Sequence, residues 1–163
     1  MLFRSHAHGL HDFDFLAGTW RVEHRRLKVR LAGSTEWIAF SGTTKAQLVM
    51  EGAANIDDNF LDMPSGAYRA VTVRAFDPAT SLWSIWWLDG RTPYAPLDPP
   101  MRGRFDDGVG HFLADDTFNG IPIRVRFIWS RITPTSARWE QAFSPDAGKK
   151  WETNWLMDFA RVR

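Results

Sequence analysis

Phe15-Leu16-Ala17-Gly18-Thr19-Trp20 near the start of the chain and Trp155-Leu156-Met157-Asp158-Phe159-Ala160-Arg161 near its end decide the fold. Gly18 permits a backbone turn from a capping segment into a first strand. Trp20 places a large apolar plug at the start of that strand. When an even number of strands runs up and down, the last is antiparallel to the first and ends beside its start. Arg161 then reaches Trp20, stacks its guanidinium on the indole and bonds free carbonyls at the floor. The expectation is an all-β chain closed into a single antiparallel up-and-down β-barrel, with a short helical turn within 10–17 under the floor.

Between these brackets the strand signals are dense. Turn residues recur at Gly33-Ser34, Glu51-Gly52, Ser65-Gly66, Asp77-Pro78, Asp89-Gly90, Asp107-Gly108, Asn119-Gly120 and Ala147-Gly148. Short runs between Gly, Asn, Asp and Pro turns read as barrel or sandwich strands. The strands are predicted at about 19–30, 35–51, 54–62, 67–77, 80–89, 101–107, 109–118, 121–132, 136–144 and 151–161. An isolated Gly inside a strand pattern marks a bend, so 35–51 is read as one strand bulged near Gly42. Pro93, Pro96, Pro99 and Pro100 make 91–100 a rim loop rather than a central strand. Residues 1–163 form one barrel domain, with 1–9 read as a flexible lead.

Composition bounds the function. The 163 residues carry 20 Lys+Arg against 19 Asp+Glu, a net charge of +1. That balance draws neither nucleic acid nor an anionic membrane by long-range field. The basic run Arg21–Arg30 reads as a solvated strand face. There is no cysteine, which removes disulfides, thiol nucleophiles and Cys-based zinc sites. No basic segment followed by an apolar run opens the chain and no stretch is apolar enough to span a bilayer, so a cytoplasmic protein is expected.

Alternation assigns faces. Trp20, Val22, His24 and Arg26 share one; so do Ile123, Val125, Phe127 and Trp129; so do Trp139, Gln141 and Phe143. On the last strand Trp155, Met157, Phe159 and Arg161 point together, opposite Asn154 and Asp158. With nine Trp in the chain, the candidate ligand-contacting set is His24, Trp87, Phe127, Trp129, Trp139, Gln141 and Trp155. Leu82-Trp83-Ser84-Ile85-Trp86-Trp87-Leu88 is apolar on both faces, so one face needs the rim loop or a second subunit, as in a homodimer. Asn55-Ile56-Asp57-Asp58-Asn59 reads as a solvated face beside the basic strand; the alternatives are polar groups inside a cavity or a weak divalent site. His6, His8 and His11 lie on or near the lead, where a metal site would first have to be ordered. His24 reads as a satisfied core histidine before a ligand contact. No metal or cofactor is expected.

Phe13-Asp14-Phe15-Leu16-Ala17-Gly18-Thr19-Trp20, the run Phe143-Ser144-Pro145-Asp146-Ala147-Gly148-Lys149-Lys150-Trp151-Glu152 and the tail Asn154–Phe159 resemble the calycin superfamily of lipocalins and fatty-acid-binding proteins. Within it the chain looks most like an uncharacterised bacterial family of lipocalin-like proteins. The resemblance implies a barrel and no agreed activity. Haem-binding calycins take their iron ligand from the C-terminal part of the chain, and no His follows His111 here, so the resemblance does not bring haem with it. The run 144–151 is also similar to an Asp-box hairpin. A single box without repeats implies structure, with Asp146 bonding turn amides, Gly148 at positive φ and Trp151 packed beneath. The expected function is binding of a small apolar or aromatic molecule inside the barrel. The alternatives are an isomerase or cyclase using the same cavity, with His24 or an inward carboxylate as acid or base, and a packed barrel whose surface near Trp83 and Trp86 is an interaction scaffold.

Overall fold

The computed structural model describes residues 8–163. A single turn of 3-10 helix, Asp14–Leu16, leads into ten strands: β1 (Gly18–Leu27), β2 (Trp37–Val49), β3 (Ala54–Leu61), β4 (Tyr68–Asp77), β5 (Leu82–Asp89), β6 (Met101–Asp106), β7 (Val109–Phe118), β8 (Ile121–Ser130), β9 (Ser136–Ser144) and β10 (Glu152–Arg161). Each strand pairs antiparallel with its sequence neighbours, and β1 pairs with β10 as well as β2, so the sheet closes into a barrel. Closure removes the unpaired edges that an open sheet would present. Among the described residues no helix is long and apolar enough to cross a membrane.

The floor is built as the two ends of the chain anticipate. Trp20 is fully buried and its Nε1–H donates to the Leu16 carbonyl at 2.8 Å. Arg161 stands opposite Trp20 in the β1–β10 register, with its guanidinium carbon 4.2 Å from the indole centroid. The same guanidinium donates to the carbonyls of Ala17 and Phe15, each at 2.6 Å, and to that of Pro134 at 2.9 Å. Gly18 has φ +128°, and a Cβ there would lie 2.5 Å from Arg161 Nη1. Phe13 fills the space above, edge-on to Trp83 and Phe105 at 5.0 and 4.9 Å.

Alternation resolves the two-sided strand β5. Trp83 and Ile85 are buried inward, whereas Trp86 and Leu88 face out beside Val73 and Val71 of β4. Trp83 is therefore not a surface residue. Its Nε1–H donates to Gly9 O at 3.0 Å, which ties the N-terminal segment to the floor.

The expected bulge at Gly42 is absent: β2 keeps register with β1 and β3 straight through it. Glycine is required there for another reason. A Cβ would strike the Phe60 carbonyl oxygen and come within 3.2 Å of His24 Nε2. The bulge lies in β10 instead, where the register shifts between Thr153 and Trp155. Asn154 is the extra residue, so it turns inward together with Trp155 rather than outward, and both are buried. Its Oδ1 accepts the Gln141 Nε2–H at 2.9 Å. The β9–β10 connection is the Asp-box-like turn: Asp146 Oδ1 accepts from Ser144 Oγ at 2.8 Å and from Lys150 N at 2.9 Å, and Gly148 has φ +88°. Trp151 packs beneath Gly148 and carries the Arg126 guanidinium 4.5 Å from its centroid.

The floor geometry makes Gly18 and Arg161 one unit. Arg161→Ala is expected to lower stability by about 2–3 kcal/mol, through lost stacking and stranded carbonyls. Gly18→Ala should cost a similar amount by displacing that guanidinium and straining a positive-φ site. Urea denaturation of the double variant should show a loss well below the sum of the singles; full additivity would mean the two residues do not act together.

Candidate functional site

The strand registers place Trp20, Trp83, Trp129 and Phe159 toward the floor and Arg26, Tyr68, Trp87 and Phe118 toward the opposite, open end. The floor half is packed solid. Above it lies a cavity of about 490 Å³. All seven residues expected to face a ligand, His24, Trp87, Phe127, Trp129, Trp139, Gln141 and Trp155, line this space. Four of them form a continuous wall of edge-on aromatic contacts: Phe127–Trp139 at 4.8 Å, Trp139–Trp155 at 5.6 Å and Trp87–Trp155 at 6.3 Å. Trp129 sits lower, 1% exposed, against Phe159 at 5.1 Å and Phe15 at 5.6 Å. It forms the base of the cavity more than its side, and its Nε1–H has no partner.

His24 is held in one state. Its ring stacks on Phe40 at 4.5 Å, and its Nδ1 lies 3.1 Å from Trp155 Nε1. An indole nitrogen only donates, so Nδ1 accepts and the imidazole proton resides on Nε2. Burial, reinforced by the charge of Arg26, lowers its pKa to about 4. With the lone pair engaged, this histidine offers a donor at Nε2 rather than a base. Its Nδ1 is satisfied in the core, and the residue borders the cavity.

The Asn55–Asn59 stretch is not the solvated face expected of it. Asn55 and Asp57 are 1% and 2% exposed and point into the barrel, while Asp58 is exposed outside. Asp57 Oδ2 accepts from Arg74 Nη1 at 2.7 Å, and Arg74 also donates to Asn55 Oδ1 at 3.0 Å. Asp57 Oδ1 takes the Asn59 Nδ2–H at 2.6 Å and the Thr72 amide at 3.1 Å; Thr44 Oγ1 donates to Asn59 Oδ1 at 2.6 Å. The guanidinium of Arg74 rests 5.3 Å from the Phe13 centroid and 5.8 Å from that of Trp129. A buried ion pair holds its place only when surrounding hydrogen bonds support it, and here β2, β3 and β4 supply most of them, leaving Arg74 Nε and Asn55 Nδ2 without a partner. Arg74 occupies the carboxylate that a divalent cation would need. Among the described residues no group of three or more His, Asp or Glu is arranged to hold a metal.

The basic run is also divided. Arg21 and Arg25 are exposed, whereas Arg26 and Arg30 turn toward the cavity mouth. There Arg26 lies 5.3 Å from the Trp155 centroid and Arg30 4.8 Å from that of Phe118. Asp98 and Asp116 also line the mouth; burial and then the charge of Asp116 push the Asp98 carboxyl up. Of the other histidines, His6 lies outside the described residues, His8 and His11 precede the barrel, and His111 is exposed on the outer face of β7. His11 Nδ1 is 2.9 Å from Asp14 Oδ2.

No protein-family model matches the chain, and a comparison with curated proteins finds no match. Among solved structures it is similar to an S-type phycobiliprotein lyase from Guillardia theta, with a TM-score of 0.61 over 95% of this chain and 93% of that one. Identity is 11%, so the likeness shows the fold alone: a closed antiparallel, lipocalin-like barrel.

Two outcomes follow from this interior. The unfolded chain protonates His24 near its ordinary value of 6.5, the native chain only near 4. The native state therefore loses about 3 kcal/mol of relative stability as pH falls through that window. His24→Gln, which can still accept from Trp155, should flatten the pH dependence of urea midpoints between 6.5 and 4 relative to wild type. Arg74→Met is expected to cost about 3–5 kcal/mol by stranding Asp57. Adding Asp57→Leu should recover much of that; a double variant as unstable as the sum of the singles would argue against a coupled pair.

Proposed function

We propose that this barrel is a small-molecule binding protein that holds an apolar or aromatic ligand above its floor. The supporting observation is the cavity of about 490 Å³ walled by Trp87, Phe127, Trp139 and Trp155. Its size is that of ligand pockets, and its lining joins this aromatic wall to a polar flank and a charged mouth. A barrel serving only as a scaffold has no use for an open upper half, because voids in a packed interior forfeit dispersion contacts. His24 Nε2–H and the Gln141 amide would orient the ligand; Trp129, at the base, would contact its buried end. Burying roughly 300 Å² of apolar ligand surface contributes about 7–8 kcal/mol before association costs.

The test is titration with the uncharged fluorescent dye phenylnaphthylamine. Dye emission should rise and tryptophan emission fall in a saturable manner, with a Kd in the micromolar range, about −8 kcal/mol. Phe127→Ala removes one ring of the wall from a half-buried position and should weaken binding about tenfold. A dye that does not bind, or that binds wild type and variant alike, would dispose of the proposal.

A further inference from the structure

Four arginines line the cavity: Arg26, Arg30, Arg74 and Arg91. Two have their charge answered. Arg74 is tied to Asp57 in the depth of the barrel. Arg91 donates through Nε and Nη2 to the two oxygens of Asp89, at 3.0 and 2.8 Å. Arg26 and Arg30 are different. Both are half-buried, and among the described residues neither lies within ion-pair distance of a carboxylate. A guanidinium withdrawn from water without a counter-charge is unfavourable, and two side by side repel. Burial and the charge of Arg26 accordingly lower the Arg30 pKa. The carboxylate of Glu152, whose Oε1 accepts the Leu31 amide at 2.8 Å, and Tyr68 offset this only in part, and Glu152 does so from beyond ion-pair distance. Neither rim aspartate, Asp98 or Asp116, lies within ion-pair distance of Arg30.

The rings hold these charges in a defined posture. Arg26 lies over Trp155, and Arg30 over Phe118 and Phe143, at 4.8 and 5.6 Å from their centroids. Stacking uses the flat face of a guanidinium and leaves its in-plane N–H groups free to meet a planar oxyanion. Trp155 belongs at the same time to the aromatic wall, so the charged edge and the apolar surface adjoin.

We infer that Arg26 and Arg30 receive the anionic oxygen group of a ligand whose apolar body rests on the wall below them, which makes the ligand class an organic acid with an aromatic or aliphatic body. The inference depends on the cavity being a binding site, as proposed above, and narrows what that site takes.

The experiment compares phenylnaphthylamine with its anionic counterpart, anilinonaphthalene sulfonate, on the full chain. Arg30→Gln, and separately Arg26→Gln, should each weaken the sulfonate about tenfold and change the neutral dye less than twofold. Arg30→Lys should recover part of the loss, since it keeps the charge without the planar fork. On wild-type protein, raising salt from low to physiological strength should weaken the sulfonate and leave the neutral dye unchanged. The neutral dye also serves as the control for folding of each variant. If that dye fails to bind wild type, the binding proposal itself fails. If it binds, but the sulfonate responds to neither salt nor the arginine substitutions, or both dyes weaken equally, the anion site is overturned and the binding proposal stands.

Discussion

One guanidinium holds the base of this molecule together. Arg161 caps the carbonyls of Phe15 and Ala17, bonds Pro134 and lies flat on Trp20. These contacts tie the 3-10 turn, which lies outside the sheet, to the start of β1, the connection before β9 and the end of β10. A carbonyl withdrawn from water without a donor is costly, so the floor segment can lie across the barrel only because this side chain satisfies it. Trp20 and Phe13 are then buried on a fixed floor, and everything above inherits a solid base.

That base explains why the interior divides into two halves. Large rings fill the floor side, where Phe13, Trp83, Phe112 and Trp129 are at most 1% exposed. Toward the mouth the rings stand edge-on along one wall and leave the middle open. Opposite them, the ion pair of Arg74 and Asp57, with Asn59, Thr72 and Thr44, forms a rigid polar flank. Each member is bonded across strands, so the flank resists collapse into the space beside it. A cavity between a stiff aromatic wall and a stiff polar flank keeps its shape without a ligand, which lowers the ordering cost of binding.

The strand alternation carried a large part of this in the sequence. Period-two patterning set the faces of β1, β8 and β9, and so brought His24, Phe127, Trp129, Trp139 and Gln141 onto one side before any register was known. The pairing of Trp20 with Arg161 followed from strand count and direction alone. What stayed hidden were the buried charges. The stretch with Asp57 reads as solvent-facing because its neutralising partner, Arg74, lies on another strand, and only the register between β3 and β4 brings them together. Alternation put Arg26 on the face of Trp20, but Arg30 sits in a run that reads as a basic surface; the rings beneath the two come from β7, β9 and β10. Asn154 escaped for another reason: a single bulge reverses the face of a residue, and nothing in the local composition marks where the extra residue falls. Gly42 carried a visible signal with the wrong cause, close approach of the neighbouring strand rather than a bend.

The Arg161 contacts also bear on how the chain reaches its native state. Its bonds to Ala17 and Phe15 span 144 and 146 residues of sequence, and the β1–β10 seam spans nearly as many. Contacts of that separation form slowly, because most of the chain must already be ordered before they return free energy. During synthesis β1 emerges long before β10, and its second edge stays unpaired until the last strand arrives. For that interval the exposed edge carries Arg21, Arg25 and Glu23, alternating with Val22 and His24. Charged residues along an open strand edge discourage pairing with other chains. The outward face of β1 thus has a role in time as well as in space: it guards the nascent sheet while it waits for the partner that will close the ring.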